Sequence, residues 1–202
     1  MEISESGLLF SFSDTSTAVK YDETDYYRNH FNSFAGSKGV DILMLDNATL
    51  SLIEIKNCAG HEADNRWRIG KDNTKRHIAP PGLDCQDRDS FDIEVADKVV
   101  MTLAALAGIQ THQVEKPLVS ECLPFAQALY RNSTGTAHPV IVELILDGQF
   151  GCHTRPETAI RRSIQDSIRK KLKWLNCNVS VLSSSDLMIE VHSHSASLNP
   201  SA

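Results

Sequence analysis

The sequence predicts an α/β domain in which helices flank a mixed central sheet. Three features carry this prediction: two strand-like runs joined by a turn at residues 40–57, a strongly apolar helix at residues 91–107, and an apolar strand at residues 139–146 ahead of an amphipathic helix. Alternation of strand and helix patterns is typical of α/β proteins. The 202 residues fit one domain, which we place at residues 1–192, with a disordered polar tail at 193–202.

A first helix is predicted over residues 17–34. Acidic residues crowd its first half, as the helix dipole favours. Apolar side chains recur at near-helical spacing and form an inward stripe, which consists of Val19, Tyr27, Phe31 and Phe34. Glu23 lies four residues from both Val19 and Tyr27, so it shares this stripe, although it could equally be a solvent-facing acid that satisfies the helix dipole.

A β-hairpin is predicted after this helix. Two apolar runs, at residues 40–45 and 50–57, are separated by Asp-Asn-Ala-Thr at residues 46–49, which is turn chemistry. Both runs carry apolar residues on both faces, which favours a central position in the sheet.

The second half of the chain begins with a long polar loop, predicted over residues 58–90. The elements expected after it are a buried helix at 91–107, a short helix at 121–131, a strand at 139–146, a helix at 154–175, a strand at 178–182 and an edge strand at 187–191. Thr154 and Glu157 have the spacing of a capping box at the start of the 154–175 helix.

Composition excludes some classes of protein. The net charge is −6, so any contact with nucleic acid must come from local basic patches. The five cysteines are odd in number and widely spread, which favours free thiols in a reducing cytoplasm. No apolar run is long enough to span a membrane, and the N-terminal segment lacks the basic region of a secretory signal.

Three charged residues stand inside the apolar hairpin and form a candidate metal site. Glu54 and Lys56 are two apart on one strand and therefore share a face, and Asp41 lies diagonally close if the hairpin closes at the predicted turn. The opposite register would separate Asp41 from them. Two converging carboxylates suit a hard cation such as Mg²⁺ or Mn²⁺, and the Ile55 carbonyl could be a further ligand. Lys56 could then orient or help to deprotonate an attacking water.

Val40-Asp41, followed after twelve residues by Glu54-Ile55-Lys56, resembles the PD-(D/E)xK nuclease superfamily, whose fold is the restriction-endonuclease-like fold. The resemblance implies that Asp41 and Glu54 bind Mg²⁺, that Lys56 assists the water, and that Glu23 is the additional acid on the preceding helix. It also implies cleavage of DNA, or of RNA, and action as a homodimer or with a partner subunit. A prokaryotic or phage role in DNA processing or defence would fit. The family core usually has a strand between the first helix and the aspartate strand, and the sequence offers no clear one unless residues 8–12 or a shortened first helix fill that place.

A cluster of cations within the polar loop is a candidate nucleic-acid contact. It comprises Arg66, Trp67, Arg68, Lys71, Lys75 and Arg76, in which the cations could contact phosphates and the indole could stack on a base. An ordinary solvated loop is the alternative. The basic face of the 154–175 helix is expected to be solvated rather than bound to DNA.

The hairpin charges also have an alternative explanation. Asp41, Glu54 and Lys56 could form a cross-strand salt bridge on a partly exposed sheet face. Lys98 is expected to pair with Glu94 one helical turn away, although it could line the site instead. The corresponding alternative function is a non-catalytic binding module that keeps the nuclease-like fold.

Overall fold

The computed structural model describes residues 1–74, 88–112, 119–131, 140–187 and 194–198. The strands are β1 (Glu2–Glu5), β2 (Leu8–Phe12), β3 (Thr17–Lys20), β4 (Ile42–Asp46), β5 (Thr49–Asn57), β6 (Val140–Asp147), β7 (Cys177–Leu182) and β8 (His194–Leu198). The helices are α1 (Asp25–Asn29), α2 (Glu62–Asn65), α3 (Phe91–Ile109), α4 (Leu123–Arg131), α5 (Glu157–Lys171) and α6 (Ser184–Leu187), with 3₁₀ turns at Tyr21–Glu23 and Phe31–Ser33.

The main sheet has five strands in the order β3-β4-β5-β6-β7. The first three form an antiparallel meander, whereas β5, β6 and β7 run parallel to one another. The long helix α3 lies in the connection between β5 and β6, and α5 lies between β6 and β7. This arrangement confirms the predicted α/β class and the mixed character of the sheet.

The two faces of the main sheet are covered by different layers. On one face, alternate strand residues such as Leu52 and Leu144 pack in one core with side chains of α3, α4 and α5. On the other face, Ile53 and Ile145 pack against β2 of a small sheet with the order β1-β2-β8. Because successive strand residues point to opposite faces, both sides of β5 are buried, as the apolar pattern predicts.

The hairpin of β4 and β5 confirms the predicted strand–turn–strand arrangement. Leu45 pairs with Leu50 and Asp46 with Thr49, so the turn has only two central residues, Asn47 and Ala48. Both have positive φ, 47° and 70°, which is the conformation of a type I′ turn. This tight closure fixes which residues of β4 face which residues of β5.

The predicted helix over residues 17–34 is wrong. Residues Thr17–Lys20 instead form the edge strand β3, which pairs antiparallel with β4, and only short helical segments follow. The β-branched side chains of Thr17 and Val19 suit a strand, and the open edge of β4 provides a pairing partner. Helical periodicity in the sequence was therefore overridden by tertiary pairing.

Other predicted elements hold with shifted bounds. Helix α3 continues through Gly108 to Ile109, and α5 begins only at Glu157, after Pro156, with no side-chain hydrogen bond capping it. The predicted capping box is therefore not formed. Residues 194–198, placed in a disordered tail by the sequence, pair as β8 with β2. The predicted edge strand at 187–191 lies outside the described residues except for Leu187, which ends α6.

The structure also fixes the position of the hairpin against α3. The amide of Val40, just ahead of β4, donates a hydrogen bond to the Thr102 hydroxyl of α3 at 3.1 Å. Thr102 is fully buried in the face that α3 turns towards the sheet. No helix in the described part of the chain combines the length and the apolar character needed to cross a membrane.

We predict that Ala48→Gly raises the free energy of unfolding by about 0.5–1 kcal/mol, because glycine adopts positive φ without the clash that a Cβ causes. Urea unfolding followed by circular dichroism measures this change. The matched control is Ala104→Gly on the exposed side of α3, which should lose about 1 kcal/mol through helix propensity. A loss of stability in Ala48→Gly would contradict the turn assignment.

Candidate functional site

The second strand of the hairpin presents an acid and a base to the helix-covered face of the sheet. Glu54 follows Leu50 and Leu52 at two-residue steps, and both leucines pack in the core beneath the helices. The Glu54 side chain is almost completely buried, and the Lys56 ammonium contacts its Oε1 at 2.7 Å. A salt bridge of the kind considered from the sequence is therefore present, although on a buried face.

Asp41 is fixed by its backbone and by its side chain immediately ahead of β4. Its amide donates to the Ile53 carbonyl at 3.1 Å, and its carbonyl accepts from the Tyr21 amide at 2.8 Å. Its Oδ2 accepts a hydrogen bond from the Ile55 amide at 2.7 Å, so the Ile55 backbone lies directly beside the carboxylate. The chain can pass this close to Tyr21 because position 39 is glycine, where a Cβ would lie 2.7 Å from the tyrosine ring.

Lys98 of α3 brings the two carboxylates together at one point. Its ammonium lies 3.2 Å from Asp41 Oδ1 and 2.6 Å from Glu54 Oε1. Because both oxygens are within hydrogen-bonding distance of one nitrogen, they are at most about 6 Å apart. Asp41 therefore lies on the same face as Glu54, as the predicted metal site requires. The expected pairing of Lys98 with Glu94 is wrong, because the helix turns Lys98 towards the hairpin.

Two further residues complete this cluster: Glu94, which the sequence did not assign to the site, and Arg68, which it assigned to the nucleic-acid contact. Glu94 lies one turn before Lys98 on α3, and its Oε1 accepts from Lys56 at 2.8 Å. Arg68 donates to the other Glu94 oxygen and to the Asn65 side chain, and its guanidinium lies 4.3 Å from the centre of the Phe91 ring. The four-residue spacing of Glu94 and Lys98 was the available signal in the sequence.

Burial and the charges of neighbouring side chains have opposing effects on the pKa values of these groups. Burial and the charge of Asp41 raise the pKa of Glu54 to about 7, against the effect of Lys56 and Lys98. Burial works against the charge of Glu94, but Lys56 and Arg68 outweigh it and lower the pKa of Glu94 to about 2. Burial also opposes the charges of Lys56 and Lys98, yet the surrounding carboxylates hold the pKa of both lysines above the ordinary value.

Glu23 is not brought into this cluster by any contact that the structure describes. Its half-exposed carboxylate pairs with Lys20 at 3.0 Å and with Arg28 at 3.8 Å, on a 3₁₀ turn rather than on the inward face of a helix. Its neighbour Asp22 is electrostatically closer to the site. Partial desolvation and the charges of Glu5 and Asp41 raise the pKa of Asp22, with Lys20 opposing.

The candidate nucleic-acid residues fall into three groups. Arg66 and Lys71 are exposed and Trp67 is half-buried. Arg68 is buried and braces Glu94, so its guanidinium is already engaged inside the protein. Lys75 and Arg76 lie outside the described residues.

A cleft of about 400 Å³ opens beside Lys56. Its lining includes Ser6, Asn57, His61 and Arg68, and it also includes Arg88, an exposed cation just before α3 that the sequence analysis did not single out. The cleft gives a ligand access to the Lys56 side of the cluster. The basic face of α5 lines a separate groove of about 540 Å³, in which Arg161 pairs with Asp186 and Arg169 with Asp166.

The donor set around Asp41 and Glu54 suits a small oxygen-binding cation in part. Within the described residues, no group of three or more histidine, cysteine, aspartate or glutamate side chains could hold a metal. Asp41 and Glu54 supply two carboxylates, fewer than such a group contains, so a cation held there would need further oxygen ligands. Glu54 Oε2 is buried and has no hydrogen-bond partner in the described part of the chain.

The fold and this cluster define a mixed α/β protein with a buried acid–lysine site at one end of a hairpin. The chain belongs to a family described as a family of unknown function, DUF6661, whose model matches residues 24–192. The matched region contains Asp41, Glu54, Lys56, Glu94 and Lys98. No curated protein and no solved structure matches the chain.

We predict that the Glu94→Gln variant loses less stability than the wild type as the pH falls. Because the pKa of Glu94 is lower in the folded chain, its ionisation adds stability above pH 4.5, which is lost as the pH falls towards 2. The contribution at neutral pH is on the order of 3 kcal/mol. Urea unfolding between pH 7 and pH 3 should show the difference between wild type and Glu94→Gln narrowing with acidity. The control is Glu2→Gln, at an exposed position of β1. A difference in stability between wild type and Glu94→Gln that stays constant with pH would contradict the assignment.

Proposed function

We propose that the protein is a Mg²⁺-dependent nuclease that hydrolyses DNA phosphodiester bonds. One observation carries the proposal: the carboxylates of Asp41 and Glu54 meet at one point, the Lys98 ammonium, while Lys56 lies two residues from Glu54 on the same face. Two acids and a lysine in this arrangement are what metal-assisted hydrolysis of a phosphodiester uses.

Asp41 and Glu54 would hold the cation. Asp41 Oδ1 and Glu54 Oε1 both contact the Lys98 ammonium, and Glu54 Oε2 has no hydrogen bond in the described part of the chain. Mg²⁺ and Mn²⁺ prefer oxygen ligands such as these. The Ile55 backbone beside Asp41 is consistent with a carbonyl ligand from that residue. A bound divalent cation supplies charge stabilisation at the phosphate and lowers the pKa of a water molecule.

Lys56 would orient the attacking water and stabilise negative charge on the phosphate. Because Glu54 and Glu94 keep its pKa high, Lys56 stays protonated near neutral pH and acts as a hydrogen-bond donor rather than as a base. Glu94 is a second carboxylate partner of the ammonium beside Glu54, and Arg68 anchors Glu94 in turn. This chain of contacts limits the positions that the Lys56 ammonium can take.

The order of elements supports the resemblance to the PD-(D/E)xK superfamily. Strand β3 provides a strand ahead of the aspartate strand, and the hairpin is followed by the buried helix α3 and then by β6, parallel to β5. One departure is that the short helical segments lie between β3 and β4 instead of ahead of β3. The helix acid expected at Glu23 has therefore no equivalent position, and Asp22 is the acid whose charge is coupled to Asp41.

The cleft beside Lys56 would accommodate the nucleic acid. Arg88 lines this cleft, and Arg66 and Lys71 are exposed cations in the described part of the preceding segment. Contacts of this kind recognise phosphates, so they suit either DNA or RNA. We favour DNA because of the superfamily resemblance, and paired cleavage assays on DNA and RNA of one sequence separate the two.

A non-catalytic binding module is the second candidate. The observation that favours it is the mutual neutralisation of the cluster: Asp41, Glu54 and Glu94 are paired with Lys56, Lys98 and Arg68. A set of ion pairs that is complete in this way could simply brace α3 against the hairpin. Binding of a divalent cation distinguishes the two functions, because a brace has no need of one.

We predict that Lys56→Ala lowers the rate of DNA cleavage in Mg²⁺ by at least about 100-fold, since a positioned donor to the reacting phosphate is lost. Hydrolysis of plasmid DNA measures the rate, and circular dichroism checks that the variant is folded. The control is Lys173→Ala, an exposed lysine beyond the C-terminal end of α5, which should cleave at the wild-type rate. Equal rates for wild type and Lys56→Ala would overturn the catalytic assignment.

We predict that Mn²⁺ raises the melting temperature of the wild-type protein, because a ligand that binds only the folded state stabilises it. At a Mn²⁺ concentration 100 times the dissociation constant, the free energy of unfolding rises by about 2.7 kcal/mol. Asp41→Asn should lose most of this shift, while Asp97→Asn on the exposed side of α3 should keep it. Wild-type protein that shows no shift with either Mn²⁺ or Mg²⁺ would favour the binding module.

A further inference from the structure

We propose that Lys98 is an internal counter-ion of this site: its ammonium takes the position of a divalent cation between Asp41 and Glu54, and cation binding releases it to contact an anionic phosphate. This proposal rests on the proposed metal-dependent function and specifies how that site is regulated. It assigns to Lys98 a positioning role, coupling the binding of metal to the binding of substrate.

The first argument is the geometry of the contacts. The Lys98 ammonium contacts one oxygen from each carboxylate, at 3.2 Å and 2.6 Å, which is the bridging position that a cation shared by both would need. A divalent ion such as Mg²⁺ binds oxygen at about 2.0–2.1 Å. The ammonium and the ion cannot both lie between these two oxygens, and their like charges would repel each other at such a short separation.

The second argument explains why Lys98 rather than Lys56 would be released. Lys56 contacts Glu54 and also Glu94, so it keeps one carboxylate partner if Glu54 turns to a cation. Both ion-pair partners of Lys98 in the described part of the chain are residues that would bind the cation. The two lysines are similarly exposed, 15% for Lys98 and 18% for Lys56, so their carboxylate partners, and not their access to solvent, decide which one is released.

The third argument is the balance of charge. The three acids Asp41, Glu54 and Glu94 match the three bases Lys56, Lys98 and Arg68, so their charges sum to zero when all are ionised. Exchange of the Lys98 ammonium for a divalent cation leaves a net charge of +1 on a largely buried cluster, where excess charge is costly. A phosphodiester group in contact with the released Lys98 offsets part of this excess. Cation and nucleic acid should therefore bind with positive coupling.

The test measures binding of Mn²⁺ alone by electron paramagnetic resonance and calorimetry, without any cleavage. Lys98→Met and Lys98→Gln remove the competing charge. Both variants should bind Mn²⁺ roughly tenfold more tightly or better, and a factor of ten in affinity is about 1.4 kcal/mol of binding free energy. Lys98→Arg keeps the charge and should not gain affinity. The glutamine variant retains a hydrogen-bond donor for Glu54, so it serves if the methionine variant does not fold.

A second measurement follows the coupling itself. Ca²⁺, an oxygen-binding ion, replaces Mg²⁺ while a fluorescent DNA oligonucleotide is titrated with protein. Ca²⁺ should strengthen DNA binding by the wild type several-fold, and this gain should be smaller in Lys98→Gln although the ion itself binds more tightly. An equal gain in wild type and Lys98→Gln would overturn the coupling role of Lys98.

The outcomes separate this proposal from the proposed function. Binding of Mn²⁺ by the wild type that depends on Asp41, with no tighter binding in the neutral Lys98 variants, overturns the counter-ion role alone. Absence of Mn²⁺ binding in the wild type and in both neutral variants overturns the counter-ion role and the metal-dependent function together. Tight binding in the neutral variants with weak binding in the wild type is the result that we expect.

Discussion

The structure around the hairpin depends on the burial of the Glu54 carboxylate. Glu54 lies at a position where its strand is covered on both faces, so its charge has lost almost all contact with water. Two ammonium groups, from Lys56 and Lys98, offset part of this cost by contacting the same oxygen. Each lysine then needs a further carboxylate, which Glu94 and Asp41 provide. The side chains of Lys98, Asp41, Glu94 and Arg68 are thereby arranged around this one buried carboxylate.

The sequence was sufficient to place Glu54 and Lys56 together because strand geometry is strict. They share a face through the two-residue period of a strand, which needs only local information. The register of Asp41 was left open by the sequence, and the two-residue turn of the folded hairpin is what brings Asp41 to the same face. The predicted α/β class rested on similar grounds, since α3 and β6 are apolar enough to be recognised without knowledge of their neighbours.

The sequence could not predict the contributions that depend on the packing of separate elements. Lys98 and Glu94 have a spacing that also suits an ordinary ion pair along a helix, and only the orientation of α3 against the hairpin turns one towards Asp41 and the other towards Lys56. Glu23 was assigned to an inward face because Val19 and Tyr27 fit a helical period. Val19 in fact belongs to β3, whose pairing with β4 outweighs the local pattern.

The composition of the cluster is easier to explain by binding than by stability. A buried network of ion pairs contributes little to stability, because the cost of removing charges from water roughly cancels their attraction, and apolar side chains of similar size are often more stabilising. The apolar neighbours Leu52, Val95 and Val99 show that the surrounding core has the material for such packing. Under the proposed function, the buried Glu54 Oε2, which has no hydrogen bond in the described part of the chain, would be a ligand of the cation, and the ion pairs would hold the charges of the site in place.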